Sequence, residues 1–160
     1  MFRMLLLATL VCLLAGGCVP SGPKGDRSQP RAAFGEGFRG GAVEETAREL
    51  KAAHMQFSNF HHTFLALSNN LPASQASLIN MANISRKNAE LSKRIRDSLG
   101  GADFEYRLKQ YLLEVEPTVD FASLQMNTAP DMQARVPMAN FQQYTLQLAQ
   151  RIRKLRSGNR

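Results

Sequence analysis

The feature that most constrains the fold of this chain is an apolar stripe with heptad spacing between residues 43 and 67. Its members are Val43, Leu50, Phe57 and Phe64, seven residues apart, with Ala53, Phe60 and Leu67 between them. Because an α-helix repeats every 3.6 residues, these side chains fall on one face. The spacing predicts an amphipathic helix that begins at Ala42, with Glu44, Glu45 and Glu49 near the positive end of its dipole.

Three further amphipathic segments follow this helix. A second helix is predicted from Pro72 to Leu99, where a pair of glycines ends it. A third is predicted from an N-cap at Asp103 to the residue before Pro117. The last is predicted to begin near Pro137 and to end at Ser157, whereas residues 118–136 fit either a further turn or two of helix or a loop.

These segments predict an all-α fold, a small bundle of about four amphipathic helices over residues 42–160. No stretch alternates apolar and polar residues in the manner of a β-strand. Heptad spacing indicates near-parallel or antiparallel packing, either within the chain or in a homo-oligomer. It leaves open whether Phe57, Phe60 and Phe64 form the core or a groove that binds a partner's helix.

The first residues of the chain have the pattern of an export signal. Arg3 precedes an almost entirely apolar stretch from Met4 to Ala15. That stretch is shorter than the 20 or so residues that a membrane-spanning helix needs, but it suits the apolar region of a signal peptide. We therefore interpret residues 1–17 as a signal peptide and expect an exported protein.

The end of this segment, Leu14-Ala15-Gly16-Gly17-Cys18, resembles the lipobox of bacterial lipoproteins. The resemblance implies that Cys18 becomes the first residue of the mature chain and carries the lipid anchor. Two or more acyl chains give stable membrane anchoring, whereas one does not. The next residue is Val19 rather than Asp, which in enterobacterial lipoproteins favours the outer membrane over the inner one. The expected location is the periplasmic side of the outer membrane.

Residues 18–41 are predicted to connect the anchor to the helical domain. Proline, glycine, serine and charged residues dominate this segment, and no apolar periodicity is present. Such a composition is typical of a flexible tether. A random coil of this length spans about 25–29 Å.

Residues that could carry chemistry are few. His54 and His61, with Met55 nearby, offer possible ligands for a periplasmic metal carrier. However, the two histidines lie seven residues apart, roughly 10 Å along a helix, whereas two ligands of one ion usually come from positions three or four apart. We therefore predict no metal site and no cofactor. No nucleophile, histidine and carboxylate arrangement is recognisable, so no enzymatic activity is predicted.

Charge is unevenly distributed along the predicted helices. The whole chain has 20 Lys and Arg against 13 Asp and Glu, a formal net charge of +7. Residues 100–137 carry three basic and six acidic side chains, whereas residues 138–160 carry five basic side chains and no acidic one. The basic cluster Arg151, Arg153, Lys154 and Arg156 is a candidate docking site for an acidic partner or for lipid phosphates, and less so for nucleic acid.

These observations favour a non-enzymatic, lipid-anchored lipoprotein that acts as an adaptor or assembly factor of an envelope, secretion or pilus complex. A periplasmic ligand or metal carrier that uses His54, His61 and Met55 is one alternative. A structural lipoprotein that links the membrane to the cell wall is the other. The candidate partner-binding residues are the three phenylalanines and the four basic residues named above.

Overall fold

The computed structural model describes residues 33–100 and 103–157, with side chains from residue 41 onward. Within these ranges the chain contains helices and short connections and no strand. The helices are α1 (Ala33–Asn70), α2 (Gln75–Asp97), α3 (Phe104–Val115), α4 (Pro117–Thr128) and α5 (Met132–Ser157), with a 3₁₀ turn at Pro72–Ser74. The predicted all-α bundle is confirmed. The predicted signal peptide, Cys18 and residues 19–32 lie outside the described residues.

Helices α3 and α4 form one interrupted rod. Glu116, which lies between them, keeps helical angles of φ −59° and ψ −41°, and its N–H donates to the Leu112 carbonyl at 3.0 Å. Proline lacks an N–H but fits the first position of a helix, so Pro117 begins α4 directly. The five helices therefore make four rods, as in a four-helix bundle.

Side-chain pairs show that consecutive rods run in opposite directions. From α2 to the α3–α4 rod, Ser77 bonds to Thr128 near one end and Ser92 bonds to Tyr111 near the other. Helices α1 and α5 are likewise antiparallel, because Glu49 meets Arg151 and Phe60 meets Phe141. We call the end that contains the start of α1 and the end of α5 the proximal end, and the opposite end the distal end.

The core lies between the four rods and is built from the predicted stripes. Among the side chains that the structure describes, twenty-four apolar ones are buried, and the largest of them come from every helix except α4. These are Leu50, Phe57 and Phe64 of α1, Leu78 and Met81 of α2, Leu108, Tyr111 and Val115 of α3, and Met138, Phe141, Leu148 and Ile152 of α5. Burial of this apolar surface stabilises the bundle.

The boundary between α2 and the α3–α4 rod is polar as well as apolar. The buried Asn88 amide donates to Thr118 Oγ1 at 3.1 Å, and that hydroxyl in turn donates to the Val115 carbonyl at 2.6 Å. Closer to the distal end, Asn80 Nδ2 donates to Gln125 Oε1 at 3.2 Å. Buried polar groups require such partners, and these bonds specify the register between the two rods.

The helix boundaries differ from the prediction in three places. Helix α1 begins at Ala33, nine residues before the first residue of the predicted helix. The uncertain segment 118–136 is helical through Thr128. The last helix begins at Met132 rather than near Pro137, because the Asp131 carbonyl accepts the N–H groups of the first turn and Asp131 is itself held by Ser74 at 2.7 Å.

Gly100 marks the end of the second rod, as predicted. Helix α2 ends at Asp97, and Gly100 has a φ of 140°. Only glycine adopts that conformation readily, since it has no Cβ. The side chain of Asp103, at the predicted N-cap of α3, makes no capping hydrogen bond, although its carbonyl accepts the Arg107 N–H at 2.9 Å.

Candidate functional site

The phenylalanines that could have formed a partner-binding groove lie in the core. Phe57, Phe60 and Phe64 are 0%, 8% and 0% exposed. Their rings pack against Phe141 of α5 at centroid distances of 5.6, 5.5 and 6.3 Å. Tyr144 adds an edge-on contact to Phe57 at 5.4 Å. The groove interpretation of these three residues is therefore wrong in this structure, because α5 of the same chain already covers them.

Two of the three histidines join α1 to α2. His54 Nδ1 donates to the Ala89 carbonyl at 3.0 Å, and His61 Nδ1 donates to the Ala82 carbonyl at 2.9 Å. Both acceptors belong to buried alanines, whose short side chains leave the carbonyls within reach. These bonds place a proton on Nδ1 of each ring, since a carbonyl can only accept. The two histidines thus lie one heptad apart along a single helix–helix seam.

The residues of the proposed metal alternative are not brought together. His54 and His61 face α2, whereas Met55 is exposed on α1, as is His62, whose ring lies 5.3 Å from that of His61. Among the residues that the structure describes, no group of three or more His, Cys, Asp or Glu side chains is arranged to hold a metal ion.

Half of the basic cluster is engaged within the bundle. Arg151 Nε donates to Glu49 Oε2 of α1 at 2.9 Å, and Arg153 pairs with Glu116 at 2.7 Å. These ion pairs connect the end of α5 to α1 and to the α3–α4 junction. Within the described residues, Lys154 and Arg156 form no comparable ion pair. The sequence cluster is therefore partly a set of links between helices.

Two tyrosines differ from exposed tyrosines in their acidity. Burial raises the pKa of Tyr144 to about 12, partly opposed by the nearby Arg151, whose guanidinium lies 5.9 Å from the ring centre. Burial also raises the pKa of Tyr111, whose hydroxyl shares a 2.9 Å hydrogen bond with Ser92. Both phenols stay protonated at neutral pH and act as packing and hydrogen-bonding groups.

Charged side chains are concentrated in the proximal half of the bundle. All the ion pairs of the described residues lie there, and hydrogen bonds from Lys93 and Arg96 hold the pKa of Asp97 below its ordinary value. By contrast, residues 52–85 contain no Asp, Glu, Lys or Arg at all. In residues 117–150 the charged residues are Asp120, Asp131 and Arg135.

The distal half therefore has an almost uncharged surface. Its exposed side chains are mainly Asn, Gln, Ser, Thr and Ala, with large apolar ones interspersed. The latter are Leu65, Ile79, Leu124, Met132, Val136 and Leu146, all at least 39% exposed. Depletion of charged residues is a feature of interface cores. The sequence itself shows the charge-free segment 52–85. Only the antiparallel fold places that segment at the same end of the bundle as the charge-poor segment 117–150.

Comparison with known proteins gives no match to a protein family, to a curated protein or to a solved structure. Among the described helices, none combines the length and the apolar character that crossing a membrane would require.

Proposed function

We propose that this protein is a lipid-anchored lipoprotein of the periplasmic side of the outer membrane. The observation that carries the proposal is Cys18, at the end of a lipobox-like sequence that follows a short apolar segment and a positive charge. The proximal end of the bundle contains the start of α1 and is therefore the end to which the anchor connects along the chain. Lipid chains on Cys18 would keep the domain at the membrane.

We further propose that the helical domain is a non-enzymatic adaptor or assembly factor of an envelope complex, such as a secretion or pilus machine. Two features support this. Side chains that could act in acid–base or metal chemistry, namely His54, His61 and Glu116, bond to other helices of the bundle. The nearly uncharged distal half, in turn, shares with the cores of protein interfaces a depletion of charged residues. The part of this surface on α1, α2 and α4 replaces the phenylalanines as the candidate site for the partner.

The anchor is tested by intact-mass analysis and membrane fractionation of the wild-type protein beside Cys18→Ser. We expect acyl mass and outer-membrane recovery for the wild type, and neither for the variant. Cys12→Ser is the matched control, since Cys12 lies within the apolar segment and its loss should leave lipidation intact. A wild-type protein without lipid, or one whose location is unchanged by Cys18→Ser, contradicts the proposal.

The adaptor role is tested with a photo-crosslinking residue placed in living cells at single exposed positions. Asn59 and Ile79 lie in the distal half, and Glu105, in the proximal half, serves as a matched control. We expect the same envelope protein to be crosslinked from Asn59 and Ile79 and not from Glu105. Crosslinks that are equal at all three positions, or absent from the distal half, contradict the role of this surface.

A further inference from the structure

Helix α5 has a second stripe of heptad-spaced residues in addition to the one in the core. It consists of Met132, Val136, Ala139, Gln143, Leu146 and Gln150, separated alternately by four and three residues. All six are exposed, and Met132, Val136 and Leu146 are 69%, 57% and 47% exposed. This spacing is the one at which two helices pack along their length. We call these six residues the outer stripe of α5.

The outer stripe carries no charge. The only charged residue of α5 between Met132 and Gln150 is Arg135, which lies beside the stripe and donates from Nε to the Ala129 carbonyl of its own chain at 2.7 Å. The outward faces of the other helices differ. The outward face of α2 carries Arg86, Lys87 and Glu90, and between residues 52 and 69 α1 exposes two large apolar residues, Met55 and Leu65, ten positions apart rather than in a heptad stripe.

We propose that the outer stripe binds the same stripe of a second copy, so that two α5 helices pack antiparallel in a twofold-symmetric dimer. The stripe is self-complementary in this direction because its four–three spacing reads the same from either end. With the twofold axis at the level of Phe141 along α5, Val136 faces Leu146 of the partner subunit, and Leu146 faces Val136 of the partner subunit. Ala139 faces Gln143 of the partner subunit, and Met132 faces Gln150 of the partner subunit. Such mutual pairing is what an isologous interface requires.

Charge selects the antiparallel direction and this face. The basic residues Arg151, Arg153, Lys154 and Arg156 follow the stripe directly. In a parallel pair these groups would lie side by side and repel. In the antiparallel pair the two copies of Lys154 lie about 39 Å apart at 1.5 Å per residue. This distance is several times the Debye length of roughly 8–10 Å, so that salt screens the repulsion.

The stripe is about 27 Å long, so the interface is of modest size, and we expect a weak, concentration-dependent dimer. The dimer does not depend on the lipid anchor. If the chain is anchored, however, confinement on one membrane raises its effective concentration and favours the dimer. The test therefore uses unlipidated protein, so that its result is separate from that of the proposed function.

The experiment is sedimentation equilibrium of the full chain with both Cys12→Ser and Cys18→Ser, over about 1–500 μM. We expect a monomer at the lowest concentrations and a dimer at the highest. Val136→Lys and Leu146→Lys should each weaken the dimer by roughly tenfold or more, since each places a charge in the apolar contact. Leu113→Lys is the matched control: Leu113 is 58% exposed on α3, and its substitution should leave the dimer unchanged.

Helical content and thermal midpoint are measured for every variant to show that the substitutions at exposed positions leave the fold intact. Disulfide trapping then tests the direction. Val136→Cys together with Leu146→Cys should form a covalent dimer on oxidation, whereas Val136→Cys alone should not. A monomer at all concentrations, or a dimer that is insensitive to both lysine variants, overturns the proposal. A covalent dimer from Val136→Cys alone overturns the antiparallel pairing.

Discussion

The hydrogen bonds of His54 and His61 to α2 give a prediction that separates a structural role from a metal-binding one. Replacing His61 by Val removes the donor, whereas His61→Asn keeps an N–H close to the position of Nδ1. Both residues have helix propensities near that of His, so the comparison isolates the hydrogen bond. His62→Val, at an exposed neighbouring position, controls for the loss of an imidazole.

The magnitude follows from the geometry. The Ala82 carbonyl lies inside α2 and keeps its own helical hydrogen bond, so that loss of the imidazole donor leaves no unsatisfied buried acceptor. The cost of His61→Val relative to His61→Asn is then the net value of one hydrogen bond, about 1 kcal/mol. Because the two sites lie roughly 10 Å apart along α1, His54→Val with His61→Val should cost about 2 kcal/mol.

The assay is urea unfolding of the Cys18→Ser chain at neutral pH, followed by far-ultraviolet circular dichroism and by a thermal scan. For a domain of this size, 1 kcal/mol corresponds to roughly 3–6 °C in thermal midpoint. Equal unfolding midpoints for the Val and Asn variants at position 61 would refute the reasoning. A rise in the midpoint with Zn²⁺ that the wild type shows and the His variants lose would instead support the metal-carrier alternative.

Three further predictions concern the core and the polar boundary between α2 and the α3–α4 rod. Phe57→Ala should lower the free energy of unfolding by about 3–5 kcal/mol, because it leaves a cavity at a fully buried position of the aromatic cluster. The measurement is urea unfolding, and a loss no larger than that caused by a substitution at an exposed position speaks against this core. Thr118→Val should lower the free energy of unfolding by about 1–3 kcal/mol, because it leaves the Asn88 amide without its acceptor. Adding Asn88→Leu should recover part of this loss in the same assay. If the losses of the two single variants simply add in the double variant, the prediction is wrong. Above pH 10 the wild type should lose stability as pH rises, since the unfolded chain releases the phenolic proton of Tyr111 while the fold, in which burial raises the pKa of Tyr111, retains it. Tyr111→Phe should show a shallower decline in urea unfolding between pH 9 and pH 11, and parallel curves for the two proteins count against the assignment.

Much of the candidate site could not have been identified from the sequence. The short apolar segment after Arg3, the lipobox-like residues around Cys18 and the charge-free segment 52–85 are local patterns, so the chain itself displays them. The role of Arg151 and Arg153 is not local, because Glu49 is 102 residues away from its partner Arg151. A cluster that looks like a free basic patch in the sequence becomes, in part, a set of links between helices.

The sequence by itself determined the helical class and the residues that face inward, because hydrophobic periodicity is a property of each segment alone. Only the tertiary structure decided what lies against each face. Phe57, Phe60 and Phe64 form a core rather than a groove because Phe141 and Tyr144 of α5 pack against them. His54 and His61 bond to carbonyls 35 and 21 residues away. Such contacts depend on how the chain returns upon itself, and a local repeat carries no information about which helix will cover which face.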